Sequence, residues 1–183
     1  MKRWLLITAG VLVVLILVVL VAGALLPQEH HASRTLVTKQ SPQAIWDTIN
    51  DHANEPGWRS DVVTVTSLGE RNGKPVWKEN YKDGNTLELM TTESTPPTRM
   101  VREIAEEGPF SGRWEIDIQP TPAGSNVTIT EIGKVSNPFF RFVSKYVIGH
   151  TTQMEKYLTG LAGKSGEQPQ FVNSSLDRKP ISR

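Results

Sequence analysis

Residues 41–58 read SPQAIWDTINDHANEPGW, and the order of signals within them decides how the rest of the chain is organised. Ser41 offers a capping oxygen, and Pro42 stands at a first helical position, where its missing N–H costs nothing. Ile45, Trp46 and Ile49 fall at helical spacing and predict one buried face. A second short helix is predicted over Asp51–Trp58, stopped by Pro56-Gly57.

On both sides of this pair the pattern changes to strands. Before it, Ser33–Lys39 alternates as a first strand. After it, Asp61–Gly69 and Lys74–Tyr81 are joined by Arg71-Asn72-Gly73, and Asn-Gly is a strong hairpin signal because both residues tolerate positive φ. Lys82-Asp83-Gly84-Asn85 turns into Thr86–Glu93, and Pro96-Pro97 separates that strand from Arg99–Ile104. In Gly112–Pro120, Trp114, Ile116 and Ile118 alternate with Glu115, Asp117 and Gln119, giving one buried and one wet face. Asn126–Val135 is predicted as the last strand.

Asn137-Pro138 then opens a long helix by the same cap-and-proline logic. Phe139, Val143, Tyr146, His150, Met154, Tyr157 and Leu161 form one stripe at three- and four-residue steps. Gly149 is its weak point, costing about 1 kcal/mol against alanine.

Ahead of all this lies Leu5–Leu26, 22 uncharged residues of which sixteen are Leu, Ile or Val. As a helix it reaches about 33 Å, enough for the ~30 Å hydrocarbon core of a bilayer. Insertion gains on the order of 5–9 kcal/mol on a translocon scale, as an upper bound. Thr8 is its one hydroxyl, and Trp4 fits an interfacial aromatic. Two readings compete: a retained anchor, or a signal peptide cut near Ala22-Gly23-Ala24. The run is longer than a signal peptide needs. Lys2 and Arg3 precede it, and no Lys or Arg follows before Arg34. The positive-inside rule therefore places the N-terminus in the cytoplasm and the folded part on the extracytoplasmic side.

The remaining chain suffices for one domain without disulfides, since there is no cysteine. A net charge of +1 with no basic stripe argues against nucleic-acid binding. From Gly163 the composition turns to Gly, Ser, Gln, Asn and charge, which predicts a disordered tail. The predicted organisation is thus 1–4 cytoplasmic, 5–26 transmembrane, 27–32 linker, 33–162 folded domain and 163–183 tail. Asn126-Val127-Thr128 and Asn173-Ser174-Ser175 match the glycosylation sequon, which matters only in a eukaryotic secretory pathway.

The segment from Ser41 to Asp51, followed by Pro56-Gly57-Trp58 and set in this element order, resembles the SRPBCC superfamily. This START/Bet v 1-like group includes polyketide cyclase/dehydrase-type proteins. The resemblance implies an α+β helix-grip fold over roughly residues 33–161, an antiparallel sheet wrapped around a long C-terminal helix with an apolar cavity between them. Here one transmembrane helix is added in front. The resemblance also implies lipids, sterols, hormones or polyketides as ligands. It brings no shared catalytic motif, so no catalytic residue is carried over.

Candidate cavity residues are Trp77, Tyr81, Trp114, Ile116, Ile118, Phe142, Tyr146, His150 and Met154, each of which has core packing as its alternative. His150 lies on the helical stripe, where it is either a proton carrier or polar anchor or simply a satisfied histidine. Glu131 shares a strand face with Val127 and Ile129, so it points inward with a raised pKa or outward at a rim. Asp51, His52 and Glu55, like His30-His31, lack metal-ligand spacing, and no metal or cofactor is expected. There is no Gly-x-Ser-x-Gly elbow and no phosphate loop. The leading expectation is a membrane-anchored protein that binds a hydrophobic small molecule or lipid. The alternatives are a cyclase- or dehydratase-type enzyme using His150 or Glu131, and an envelope module for protein interaction with an unknown partner.

Overall fold

The computed structural model describes residues 2–172 apart from 107 and 109. An apolar helix α1 (Lys2–Leu25) leads into β1 (Glu29–Thr38), α2 (Pro42–Asn50) and a 3₁₀ turn (His52–Gly57). Six strands follow: β2 (Val62–Arg71), β3 (Lys74–Tyr81), β4 (Thr86–Thr95), β5 (Arg99–Ile104), β6 (Phe110–Thr121) and β7 (Gly124–Val135). The C-terminal part holds α3 (Pro138–Val143), a π-helical turn (Ser144–Ile148), α4 (Thr152–Lys164) and β8 (Gln170–Val172). All neighbouring strands are antiparallel, in the order β2-β3-β4-β5-β6-β7-β1-β8. The sheet wraps the C-terminal helix, so the fold is α+β of the helix-grip type.

The local signals act as their chemistry demands. Ser41 Oγ accepts the Ala44 N–H at 3.3 Å, and Asn137 Oδ1 accepts the Phe139 N–H at 2.9 Å. Asn72 and Gly73 both adopt positive φ, 55° and 70°, to close the β2–β3 hairpin. Edge strand β2 is kinked twice, with register shifts between Val62 and Thr64 and between Ser67 and Glu70.

The core fills one half of the concave sheet. Ile45 and Ile49 of α2 meet Leu36, Met100, Ile116, Ile118, Val127 and Ile129 of the sheet and Met154, Leu158 and Leu161 of α4. Each of these side chains is essentially solvent-free.

Three boundaries differ from the sequence-based expectation. The predicted linker 27–32 is mostly strand: β1 starts at Glu29 because His30–Ala32 pair with Glu131–Gly133 of β7. The predicted long helix is broken. Gly149 takes φ +81°, which ends the π-helical turn, and the helix restarts only at Thr152. Phe139 and Tyr146, placed on the buried stripe by periodicity, are consequently 47% and 60% exposed. The predicted tail is ordered in its first part. Glu167 accepts hydrogen bonds from Thr38 Oγ1, the Lys39 N–H and Gln40 Nε2 at 3.0–3.1 Å, and Gln170–Val172 add to the free edge of β1. Residues 173–183 of that tail, with the second sequon, lie outside the described residues.

Candidate ligand cavity

Where the C-terminal helix breaks, the sheet continues without it. The far halves of β6 and β7 extend to Phe110 and Val135, while α4 reaches back only to Thr152. Between them lies a cavity of about 450 Å³. Its apolar wall comes from Leu87, Leu89, Ile104, Phe110, Trp114 and Val135.

The opposite pole is charged and buried. Arg59 Nη1 donates to Glu55 Oε2 and to Glu79 Oε2, both at 2.8 Å. Arg102 Nη2 donates to the Ile49 carbonyl at 2.5 Å, and its Nη1 lies 3.4 Å from Glu55 Oε1. His52 Nδ1 is 2.7 Å from the same Glu55 oxygen, its ring 4.2 Å from that of Trp77. Two guanidiniums therefore face two carboxylates with almost no water, an arrangement that is tolerable only because each charge is paired. Burial alone raises the Glu55 pKa, but the His52 hydrogen bond and the guanidiniums of Arg102 and Arg59 outweigh it and hold the carboxyl at about 2.

Two phenols complete this pole. Burial pushes the Tyr157 hydroxyl up to about 12, and burial with the neighbouring Glu79 carboxylate raises that of Tyr81. Both stay protonated donors at neutral pH. Tyr81 donates to Glu79. The buried Tyr157 hydroxyl has no partner among the described residues, and its ring lines the cavity under the Arg59 guanidinium at 5.3 Å.

A second polar group forms a side wall. Glu131 Oε2 accepts from Trp114 Nε1 at 2.7 Å, and its Oε1 lies 2.8 Å from His30 Nε2. Gly133 makes room for the imidazole: a Cβ there would stand 2.3 Å from His30 Cε1. Behind His30, His150 stacks at 4.0 Å between ring centroids, and burial followed by the nearby His30 lowers its pKa. A groove of about 550 Å³ lies beyond, between the end of α1, β1 and the π-helical turn, with His30 and Val135 shared between both spaces.

Of the residues proposed from sequence, Tyr81, Trp114 and Glu131 line the cavity. Ile116, Ile118 and Met154 lie instead in the solid core under α2. Trp77 packs on His52 outside the cavity wall. Phe142 and Tyr146 pair with each other at 5.0 Å, off the cavity, and His150 faces the outer groove. Both displacements follow from the Gly149 break, which turns the first part of the helix away from the sheet. Sequence reasoning missed Arg59, Arg102, Glu79 and Tyr157 as site residues. A usable signal existed: Arg102 has the inward parity of Met100 and Ile104, and Glu79 that of Trp77 and Tyr81.

Residues 29–165 match the sequence family described as polyketide cyclase / dehydrase and lipid transport. Among solved structures, the chain is similar to the Zhui aromatase/cyclase from Streptomyces sp. R1128, at 13% identity and TM-score 0.61, over 75% of this chain and 94% of that one. It is likewise similar to a START superfamily protein from Mycobacterium smegmatis, at 14% identity and TM-score 0.59, covering 74% and 96%. The protein TTHA0849 from Thermus thermophilus gives 17% identity and TM-score 0.57, covering 74% and 95%. No curated protein sequence matches the chain.

Proposed function

The chain belongs to the polyketide cyclase/dehydrase and lipid transport family of the SRPBCC superfamily, and from that premise we propose that it binds a hydrophobic small molecule or lipid beside a membrane. The observation that carries this reading is the unfilled cavity of about 450 Å³. That size falls within the ~300–1,000 Å³ of small-molecule sites. Its lining has the matching division of labour. Leucines, Ile104 and Trp114 take an apolar body, while Arg59, Glu79 and Arg102 make the other end polar.

The membrane half of the proposal rests on α1. Its 24 residues have a mean hydropathy of 3.3 in the most apolar window, a property shared by membrane spans and signal sequences. Its integration with the domain supports a retained anchor. Gly23 meets the Pro138 backbone so closely that a Cβ would stand 1.9 Å from the Pro138 carbonyl oxygen. Arg141 Nη1 donates to the Leu26 carbonyl at 2.7 Å. Cleavage after Ala24 would remove the Gly23 contact, while Leu26 and its bond to Arg141 would stay with the cleaved chain. With Lys2 and Arg3 cytoplasmic, the domain lies on the extracytoplasmic face.

The test is native mass spectrometry of the full chain extracted in mild detergent, with melting temperatures across a lipid panel. We expect a co-purifying apolar ligand and a selective rise in melting temperature. An empty protein that no lipid stabilises overturns the reading.

One arrangement favours a second reading, catalysis of cyclase or dehydratase type. Glu131 is held at the cavity wall by Trp114 and His30, a carboxylate–imidazole pair suited to moving a proton. Turnover of an aromatic polyketide-like substrate that disappears in Glu131→Gln, with binding retained, supports it.

A further inference from the structure

Four large apolar side chains around the helix break have no cover: Phe139 is 47% exposed, Phe140 37%, Tyr146 60% and Val147 71%. Phe110, itself 44% exposed, extends the patch, its ring 5.2 Å from that of Phe140. A contiguous apolar surface of this kind in a folded domain marks a binding face. Its surroundings say what covers it. The patch sits on α3 and the π-helical turn, and α3 packs directly against α1. One tight contact is at Gly23, against the Pro138 backbone and three residues inside the end of the apolar run at Leu26. At ~1.5 Å per residue this contact lies roughly 4–5 Å below that end.

Charge points the same way. From Ile132 to Met154 the chain has Lys134, Arg141 and Lys145 and no Asp or Glu. Lys145 lies over the Tyr146 ring at 5.5 Å. A cation at the polar edge of exposed aromatics is the composition of an element lying in the headgroup region.

We propose that residues 138–147 form a second membrane contact, lying in the interface of the leaflet from which α1 emerges, with Phe139, Phe140, Tyr146 and Val147 among the lipid and Lys145 at anionic headgroups. This inference rests on the reading of α1 as a retained span. It brings the mouth of the outer groove, lined by Leu26, Pro27, Arg141 and Lys145, down to the lipid surface. His30 and Val135, which border both spaces, then stand between that groove and the inner cavity.

The absence of cysteine makes the test direct. Single cysteines replace Leu15, Val147 or Glu70 in the full chain, Glu70 standing exposed on the far edge strand β2. Each is labelled with an environment-sensitive fluorophore and reconstituted into phosphatidylcholine/phosphatidylglycerol vesicles. Quenching by doxyl lipids is compared with quenching by aqueous iodide. We expect the label of Leu15→Cys and that of Val147→Cys to lose emission to the lipid quencher, and that of Glu70→Cys to iodide alone. Lipid quenching at Leu15→Cys with only iodide quenching at Val147→Cys overturns this proposal and leaves the anchor intact. Iodide quenching at all three sites overturns the anchor reading and the proposal with it. Tyr146→Cys provides a second reporter if Val147→Cys does not fold, and its outcomes are read in the same way.

Discussion

Replacing the carboxylate at the centre of the buried charge group, Glu55→Gln, tests whether that group is held together as its geometry implies. Glu55 is solvent-free and serves His52, Arg59 and Arg102 together. Its pKa of about 2, against an ordinary 4.5, corresponds to about 3 kcal/mol at ~1.36 kcal/mol per unit. Breaking one partner out of a buried pair costs about 3–5 kcal/mol, so the two routes agree in size. For a unit of roughly 140 residues, about 3 kcal/mol lowers the melting temperature by about 10 °C. The assay is thermal unfolding in detergent micelles followed by tryptophan fluorescence, since Trp46, Trp58, Trp77 and Trp114 all lie in the domain. Because folding depresses the Glu55 pKa, its contribution is complete above pH 4.5 and is lost as the pH falls toward 2. The wild-type and Glu55→Gln curves therefore converge on acidification. A variant as stable as wild type at pH 7, or a gap undiminished near pH 2, refutes the reasoning.

Three further outcomes are expected. Leu89→Trp fills the apolar side of the cavity, so ligand capture seen by native mass spectrometry is lost while the melting temperature is held or raised. Met154→Ala empties a fully buried position in the solid half of the core and costs about 2–5 kcal/mol, measured by denaturant unfolding. Glu167→Ala releases the hydrogen bonds to Thr38, Lys39 and Gln40, so hydrogen exchange at Gln170–Val172 accelerates while that in β5–β7 does not change.

What could be read in advance was written in short-range chemistry. The caps at Ser41 and Asn137, the Asn72-Gly73 turn and the alternation around Trp114 each act within a few residues, and the structure contains all of them. The helix break was visible only as a weak glycine. Gly149 costs a helix little, and its effect depends on α3 finding a partner in α1 more than a hundred residues earlier. The first part of the tail differs for a related reason: its composition shows too little apolar surface to fold alone, yet β1 offers Gln170–Val172 an unpaired edge and Glu167 forms a clamp. Inward charges such as Arg102 were passed over because burial of a charge is decided by distant partners, here Glu55 and the Ile49 carbonyl.

The two kinks in β2 bear on how copies of this chain tolerate one another. An unpaired strand at the edge of a sheet invites a neighbour to stitch onto it. Between its register shifts β2 keeps only Thr64–Ser67 in regular spacing, and β8 at the opposite border is three residues long. Both borders therefore offer a second sheet only a short regular edge.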